Sequence, residues 1–469
     1  MSRRVLIGFI LLFFTVGAQA QGDLLPAYER VVLDNGTVLL LSEKHDVPLI
    51  GLRAVLRGGA AIDTADKSGV ASLLAGMLER GAGDRDAAEF AEAVAAVGGE
   101  LSSSASLEAI TIRADFLSRD GELMLELVSD MLRRPTLDQD EFVKLRDRRI
   151  NLIKAAKSSN PGRLLPRYGT AFLFGEHPYG NPVDGSEATL AAITHEDLTA
   201  FYQDHVGGER LIISVVGDFN AAAMKDRLEK RFGDWPAAAE PLALVPSLVR
   251  APGRRVLLVD VPETTQTYFW VGNVTVPIRY PRRAELNLAN TVFGGRYTSM
   301  LNMALRVESG LTYGVWSPLR RYSSSGYVVI SSFTETGKTT QAIDLALDIQ
   351  AQLRNAGIDE EQIESARNYV MGQFPPRLET ASQLAAQLAV LEQYELDDAY
   401  INDYPALLAA VDSDSIAGVV EEVYAAPGDM IFVLIGDAAA IRDEVSNYGP
   451  VTEVSIADPR FRHPEPPQQ

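Results

Sequence analysis

Two stretches of this sequence, roughly 220 residues apart, follow one pattern. Residues 193–219 and residues 411–438 each begin with an acidic segment typical of a capped helix, continue through a turn, and end in an apolar strand that stops at Gly-Asp. The period is much longer than the roughly 20 to 50 residues of solenoid repeats. The sequence therefore predicts two homologous domains and not a repeat array.

The composition between the two halves indicates a boundary. Residues 236–253 contain four prolines and several alanines, which is typical of a linker. We predict a first domain over residues 22–236, a linker over 237–253, a second domain over 254–459 and a disordered, proline-rich tail over 460–469. Strand and helix patterns alternate in both halves, so the predicted fold class is α+β. Each domain is expected to be a mixed, mainly antiparallel β-sheet covered by α-helices.

Charge and cysteine content exclude several classes of function. The chain has 469 residues, a formal net charge of −20 and no cysteine. Nucleic acid and anionic membrane surfaces are poor partners for such a chain, because phosphate binding requires basic patches. Without cysteine there are no disulfides, thiolate zinc sites or cysteine nucleophiles, which fits a compartment where thiols would oxidise.

The first twenty residues have the order of a secretory signal. A basic pair at residues 3–4 precedes an apolar run over residues 5–16 and the small residues Ala18 and Ala20. We predict a signal peptide over residues 1–20, an exported protein without a stable membrane span after cleavage, and a periplasmic location in a Gram-negative cell. The alternative is an uncleaved anchor, for which the apolar run is short.

The run GGRYTSMLNMALRVESGLTYGVWS, residues 294–317, combines a helical pattern, a glycine stop and two polar side chains. The pattern predicts a helix that ends at Gly310 and a strand over residues 311–317. Arg306 would then lie on the last helical turn and Tyr313 early in the strand. Their donors suit a peptide carbonyl or a developing oxyanion. The alternative is structural: Arg306 offsets the helix dipole and Tyr313 packs in the core.

Several motifs now occur together in one order. They are the duplicated domain, the segment GEHPYGNPVDGSEATLAAITHEDLTAFY, the Gly-Asp strand ends and the run at residues 294–317. With these motifs the chain resembles the insulinase/pitrilysin superfamily of zinc metallopeptidases, in its bacterial, mitochondrial-processing-peptidase-like branch. The resemblance extends from Val31 to Gly449 and implies two homologous domains arranged as a half-clamshell.

Catalytic members of that superfamily carry H-x-x-E-H, two zinc-binding histidines and a glutamate base, with a further glutamate ligand about 76 residues on. The matching helix here reads GVASLLAGMLERGAG. Ser72, Ala75 and Gly76 stand at the His, Glu and His positions, and Leu152 stands at the distant Glu position. The resemblance thus implies that this chain binds no zinc. A relocated metal site is a weaker alternative, since the five histidines include no i, i+4 pair.

In the heterodimeric branch of the superfamily, one subunit carries zinc and the other supplies an arginine and a tyrosine seven residues apart. Arg306 and Tyr313 match that pair. The resemblance implies a zinc-free, substrate-binding subunit that is inactive alone and pairs with a zinc-bearing homologue to cut peptides. The edge strand at residues 100–106, ELSSSAS, would accept substrate as an added strand. The alternative is a non-catalytic peptide-binding or scaffold protein.

Overall fold

The computed structural model describes residues 23–248, 252–426 and 428–462. The predicted signal peptide over residues 1–20 lies outside the described residues, as do parts of the predicted linker and tail. Within the described ranges, no helix combines the length and the apolar character needed to cross a bilayer.

The sheet of domain one is mainly antiparallel, and only β2 and β6 run parallel. Its strand order is β1-β2-β6-β3-β5-β4, formed by β1 (Glu29–Val32), β2 (Val38–Glu43), β3 (Leu49–Arg57), β4 (Glu100–Ala105), β5 (Ala109–Leu117) and β6 (Leu211–Gly217). Every residue of β6 is buried, which fits its uninterrupted apolar sequence and central position. The short, polar strand β4 lies at one edge.

The helices of domain one cover this sheet and connect its strands. They are α1 (Val70–Leu78), α2 (Ala87–Ala95), α3 (Gly121–Arg133), α4 (Gln139–Ser159), α5 (Leu165–Phe174), α6 (Glu187–Ala192), α7 (His195–His205) and α8 (Ala221–Phe232). The acidic start of the repeat is a real cap, because Thr194 and Asp197 form a capping box at the beginning of α7.

Domain two repeats this plan with a different edge. Its strand order is β10-β11-β8-β12-β7-β13, with β9 also paired to β11, formed by β7 (Arg255–Asp260), β8 (Gln266–Thr275), β9 (Val315–Trp316), β10 (Leu319–Arg321), β11 (Gly326–Glu335), β12 (Ile431–Gly436) and β13 (Val451–Ser455). As β6 does in domain one, β12 lies between a parallel neighbour, β7, and an antiparallel neighbour, β8. The predicted duplication is therefore visible in the strand pairing.

The helices of domain two again connect the strands of its sheet. They are α9 (Arg283–Asn290), α10 (Met300–Asn302), α11 (Thr339–Ala356), α12 (Glu360–Gln373), α13 (Ala381–Gln393), α14 (Ala399–Asn402), α15 (Tyr404–Ala409), α16 (Ser413–Val423) and α17 (Ala438–Val445). Two π-helical turns, Thr291–Gly295 and Met303–Glu308, extend α9 and α10. Two domains built from mixed sheets and helices confirm the predicted α+β class.

Each sheet is covered by a helix from the other domain. Helix α5 packs on β8 and β12, and α13 packs on β3 and β6. The approach is close: a Cβ at Gly169 of α5 would lie 2.8 Å from the Trp270 ring, and one at Gly51 of β3 would lie 2.7 Å from the backbone of Ser382. One hydrophobic core accordingly includes residues from both domains, such as Leu52 and Val433. The exchange of helices ties the domains together.

The structure corrects two predictions of local structure. The strand over residues 311–317 is reduced to Val315–Trp316, and Tyr313 lies in the loop before it. The predicted disorder of residues 460–469 is wrong at the start of that range. Phe461 is 2% exposed and packs edge-on against the Tyr168 ring, with the ring centroids 4.9 Å apart.

Candidate functional site

Helix α1, which carries the degenerate metal motif, is held at its start by a buried carboxyl group. Asp63 accepts hydrogen bonds from the backbone N–H of Gly69 (2.7 Å) and of Ala71 (3.2 Å). Burial raises the pKa of Asp63 to about 8, although these hydrogen bonds act in the opposite direction. The buried cap fixes where α1 begins and hence where Ser72 and Gly76 lie, one helical turn apart.

A guanidinium group lies against both positions that match the zinc-binding histidines. Arg149 of α4 donates from Nη1 to Ser72 Oγ (2.6 Å) and from Nη2 to the Ser72 carbonyl (2.8 Å). A Cβ built at Gly76 would lie 2.9 Å from Arg149 Nη2, which explains the glycine in the middle of this helix. Burial lowers the pKa of the Arg149 guanidinium.

The arginine belongs to a small polar network. Ser72 Oγ also donates to Asp184 Oδ1 (3.2 Å), and Arg167 Nη2 donates to Asp184 Oδ2 (2.7 Å). The other matching residues add no ligand, because Ala75 is buried in the core and Leu152 is 59% exposed. A cation and aliphatic side chains do not fit a zinc ion, which needs neutral imidazoles and carboxylates. Among the described residues, no three His, Asp or Glu side chains are grouped to hold a metal elsewhere.

Arg149 was not found from the sequence. It lies one helical turn before Leu152 and therefore on the same face of α4. A search for basic residues one turn before Leu152 would have returned Arg149 together with Arg148, without indicating which of the two contacts Ser72.

Strand β4 is at the edge of the sheet, as predicted. Its edge is partly occupied, because the backbone N–H of Ser103 donates to the carboxylate of Glu79, at the end of α1. Burial raises the pKa of Glu79. A peptide that pairs with β4 at this position would have to displace that carboxylate.

Arg306 and Tyr313 meet on the surface of domain two. The guanidinium carbon of Arg306 lies 4.9 Å from the ring centroid of Tyr313 and 4.9 Å from that of Tyr297, so the cation is stacked between two aromatic rings. Tyr313 is 77% exposed and Tyr297 61% exposed. The alternative in which Tyr313 packs in the core is therefore wrong.

The backbone between the two residues folds back on itself. Gly310 has φ of 63°, and the N–H groups of Leu311 and Thr312 both donate to the Leu305 carbonyl, at 2.9 and 3.2 Å. Arg306 is on the last turn of its helix, as predicted, but that turn is π-helical. Tight reversal at a glycine with positive φ is what brings the two side chains into contact.

The polar groups of this stack are available. In the described part of the chain, neither the Arg306 guanidinium nor the Tyr313 hydroxyl has a hydrogen-bond or ion-pair partner, although Arg306 is stacked in place. A held guanidinium with free N–H groups is a donor for a carbonyl or carboxylate. Tyr297, the second aromatic ring against Arg306, could not be found from helical periodicity, because it lies before the helix.

Comparison with protein-family models gives two adjacent matches. Residues 38–186 match the model described as insulinase (peptidase family M16), and residues 192–370 match the model described as the peptidase M16 inactive domain. An uncharacterized zinc protease, YmxG of Bacillus subtilis, is 24% identical over 400 residues, which cover 84% of this chain and 95% of that protein. An uncharacterized zinc protease of Mycobacterium leprae is 27% identical over 334 residues, which cover 70% of this chain and 74% of its own length.

Solved structures show the same fold. The peptidase M16 inactive domain from Pseudomonas fluorescens matches with a TM-score of 0.81 at 21% identity, covering 88% of this chain and 98% of its own. The periplasmic protease PqqL from Escherichia coli matches with a TM-score of 0.74 at 16% identity, covering 92% of this chain and 49% of its own. Family models, relatives and fold agree, and the chain belongs to the insulinase family, peptidase family M16.

Proposed function

We propose that this chain is the zinc-free, substrate-binding subunit of an exported heterodimeric zinc metallopeptidase. A zinc-bearing homologue would supply the metal, the base and the water. This chain would hold the peptide from the facing side through Arg306 and Tyr313. The observation that carries the proposal is the contrast between a metal position filled by Arg149 and a stacked arginine whose donors are free.

The geometry of the stack suits substrate positioning. Stacking between two rings limits the conformations of Arg306 before any substrate binds, so less side-chain entropy is lost on binding. Its N–H groups can donate to a peptide carbonyl, and the Tyr313 hydroxyl offers a further donor on the same surface. Donors held in place in this way contribute most where negative charge develops during the reaction.

Reconstitution tests the proposal. The purified chain, washed with a chelator and then supplied with zinc, is expected not to hydrolyse an unfolded peptide. Mixed with a zinc-bearing homologue from the same genome, it is expected to form a complex that does. Hydrolysis by the isolated chain would contradict the assignment, and so would a homologue that is fully active without this chain.

Export is the second part of the proposal and rests on residues 1–20. N-terminal sequencing of protein purified from its own cells is expected to begin at Gln21. An N-terminus that still contains residues 1–20 would contradict cleavage and favour the anchored alternative.

A further inference from the structure

A cavity of about 530 Å³ in domain two is lined by arginines. They are Arg283, Arg320, Arg321 and Arg377. Among the described residues that line it, none is Asp or Glu, although the chain as a whole carries a net charge of −20. Such a local excess of positive charge without carboxylates is costly unless an anion or water screens it.

The cavity lies at the place in domain two that is equivalent to the lost zinc site. Helix α9 follows β8 as α1 follows β3, and α12 corresponds to α4. Arg283, Asn287 and Asn290 line the cavity from one face of α9, and Tyr369 and Gln373 line it from α12. The duplicated framework therefore forms a second cleft, here with guanidinium and amide groups.

One of the arginines is fixed by aromatic rings. Arg283 is 9% exposed, its guanidinium carbon lies 3.7 Å from the ring centroid of Tyr400 and 4.7 Å from that of Tyr404, and it donates to the Tyr400 carbonyl. Burial lowers the pKa of Arg283, and the nearby positive charge of Arg321 acts in the same direction. Arg283 is a rigid wall of the cavity.

Arg321, a second arginine of the cavity, has a hydrogen-bond donor without an acceptor. Nη1 of Arg321 is buried and has no hydrogen-bond partner among the residues that the structure describes. Arg321 faces the same side of the sheet as Leu319, towards the core that contains α9. Arg377 is exposed in the turn Pro375–Leu378 at the rim. A buried donor without a partner costs free energy that an anionic acceptor would recover.

We propose that this arginine pocket binds a carboxylate group of a peptide. Guanidinium forks match carboxylates in a bidentate geometry, and the amides of Asn287 and Gln373 suit the peptide backbone beside it. The choice of a peptide as the ligand rests on the proposed function. Gly295 lines the pocket and Tyr297, two residues on, stacks on Arg306, so one segment borders both places.

Calorimetry on the purified full chain at low salt tests the proposal. The probes are an acetylated and amidated alanine peptide with two glutamates, its glutamine counterpart and inorganic phosphate. The glutamate peptide is expected to bind at least about tenfold more tightly than the glutamine peptide. Arg321→Gln is expected to weaken binding about tenfold or more, because a charge-assisted hydrogen bond is lost. Arg442→Gln, which removes the same charge from an exposed ion pair with Glu453, is the control and is expected to bind normally.

Three results would overturn the proposal. Equal weakening by Arg442→Gln would show unspecific attraction, equal binding of both peptides would show that no carboxylate is recognised, and binding of phosphate alone would show a different ligand. Should Arg321→Gln unfold, the exposed Arg377→Gln replaces it with the same expectations. No hydrolysis is measured and no partner is present, so failure here is distinct from failure of the proposed peptidase role.

Discussion

Arg149 and Arg306 are two arginines of one chain in opposite situations. Arg149 is partly buried, donates to Ser72 twice and belongs to a network that includes Asp184. Arg306 is held only by two exposed aromatic rings, and within the described residues its N–H groups have no acceptor. The first arrangement stabilises the fold, and the second leaves hydrogen-bonding capacity for a ligand. The difference separates an arginine whose donors are used by its own chain from one whose donors are free among the described residues.

The largest expected effect is on turnover. Arg306→Ala in the reconstituted complex is expected to lower kcat/KM about 10²-fold, as for one lost transition-state donor, with the free energy of unfolding changed by less than about 0.5 kcal/mol. Arg306→Lys keeps the positive charge but loses the forked pair of N–H donors. Its kcat/KM is expected to lie between the values of the unmodified complex and of Arg306→Ala. Tyr313→Phe keeps the ring against Arg306 and removes only the hydroxyl, so its kinetics measure the contribution of that hydroxyl. Unchanged kinetics in Arg306→Ala would remove the contrast with Arg149.

Arg149→Ala is expected to act on stability. Ser72 loses two hydrogen bonds and Asp184 loses a nearby positive charge, so the free energy of unfolding is expected to fall by about 2 kcal/mol. Denaturant unfolding measures it. Arg148→Ala on the same helix is the matched control, because Arg148 is exposed and its side chain makes no hydrogen bond or ion pair with the described residues.

Turnover of the Arg149→Ala complex, measured at a temperature where the variant remains folded, is expected to equal that of the unmodified complex. A large loss of activity without a loss of stability would place Arg149 in the reaction and contradict the comparison.

Restoring the metal motif tests why the site is closed. A variant with Ser72→His, Ala75→Glu, Gly76→His and Leu152→Glu is expected to bind zinc weakly, because Arg149 brings positive charge and crowds position 76. Adding Arg149→Ala is expected to tighten zinc binding by at least about tenfold, a change of about 1.4 kcal/mol. Competition with a coloured chelator measures the affinity. Equal affinity in both variants would show that Arg149 does not block the site.

A gradual effect of pH is expected from the carboxyl group of Asp63, which caps α1. The pKa of Asp63 is about 8 in the folded chain against a usual 3.8, so between these values the folded state keeps a proton that the unfolded state has lost. Stability is therefore expected to fall as pH rises, by at most about 1.4 kcal/mol per pH unit. Asp63→Asn is expected to flatten this slope in urea unfolding measured at several pH values. An unchanged slope would show that the carboxyl is already ionised.

Features set by local pattern were predictable. The repeat and the place of Arg306 on the last helical turn follow from periodicity, caps and glycine, whereas the edge position of β4 was expected from the family resemblance. The prediction of a strand over residues 311–317 is wrong for a local reason. The Thr312 hydroxyl donates to the Gly314 carbonyl (3.0 Å) and accepts from the Gly314 N–H (3.2 Å), which favours a turn over a strand.

Features that depend on long-range packing were not predictable. Arg149 meets Ser72 from a helix 77 residues away in sequence, and nothing in either helix alone indicates the contact. The four arginines of the domain-two pocket come from three separate elements. Tertiary structure brings such groups together, and a single sequence records only their identities.

The exchanged helices α5 and α13 make the duplicated chain indivisible. A fragment cut at the linker would keep its own sheet but lose the helix that covers it, exposing an apolar face prone to aggregation. The two halves are expected to remain soluble only when produced together, as a split protein that reassembles. In a chimera with a relative, each sheet must likewise be exchanged together with the helix of the other domain that covers it.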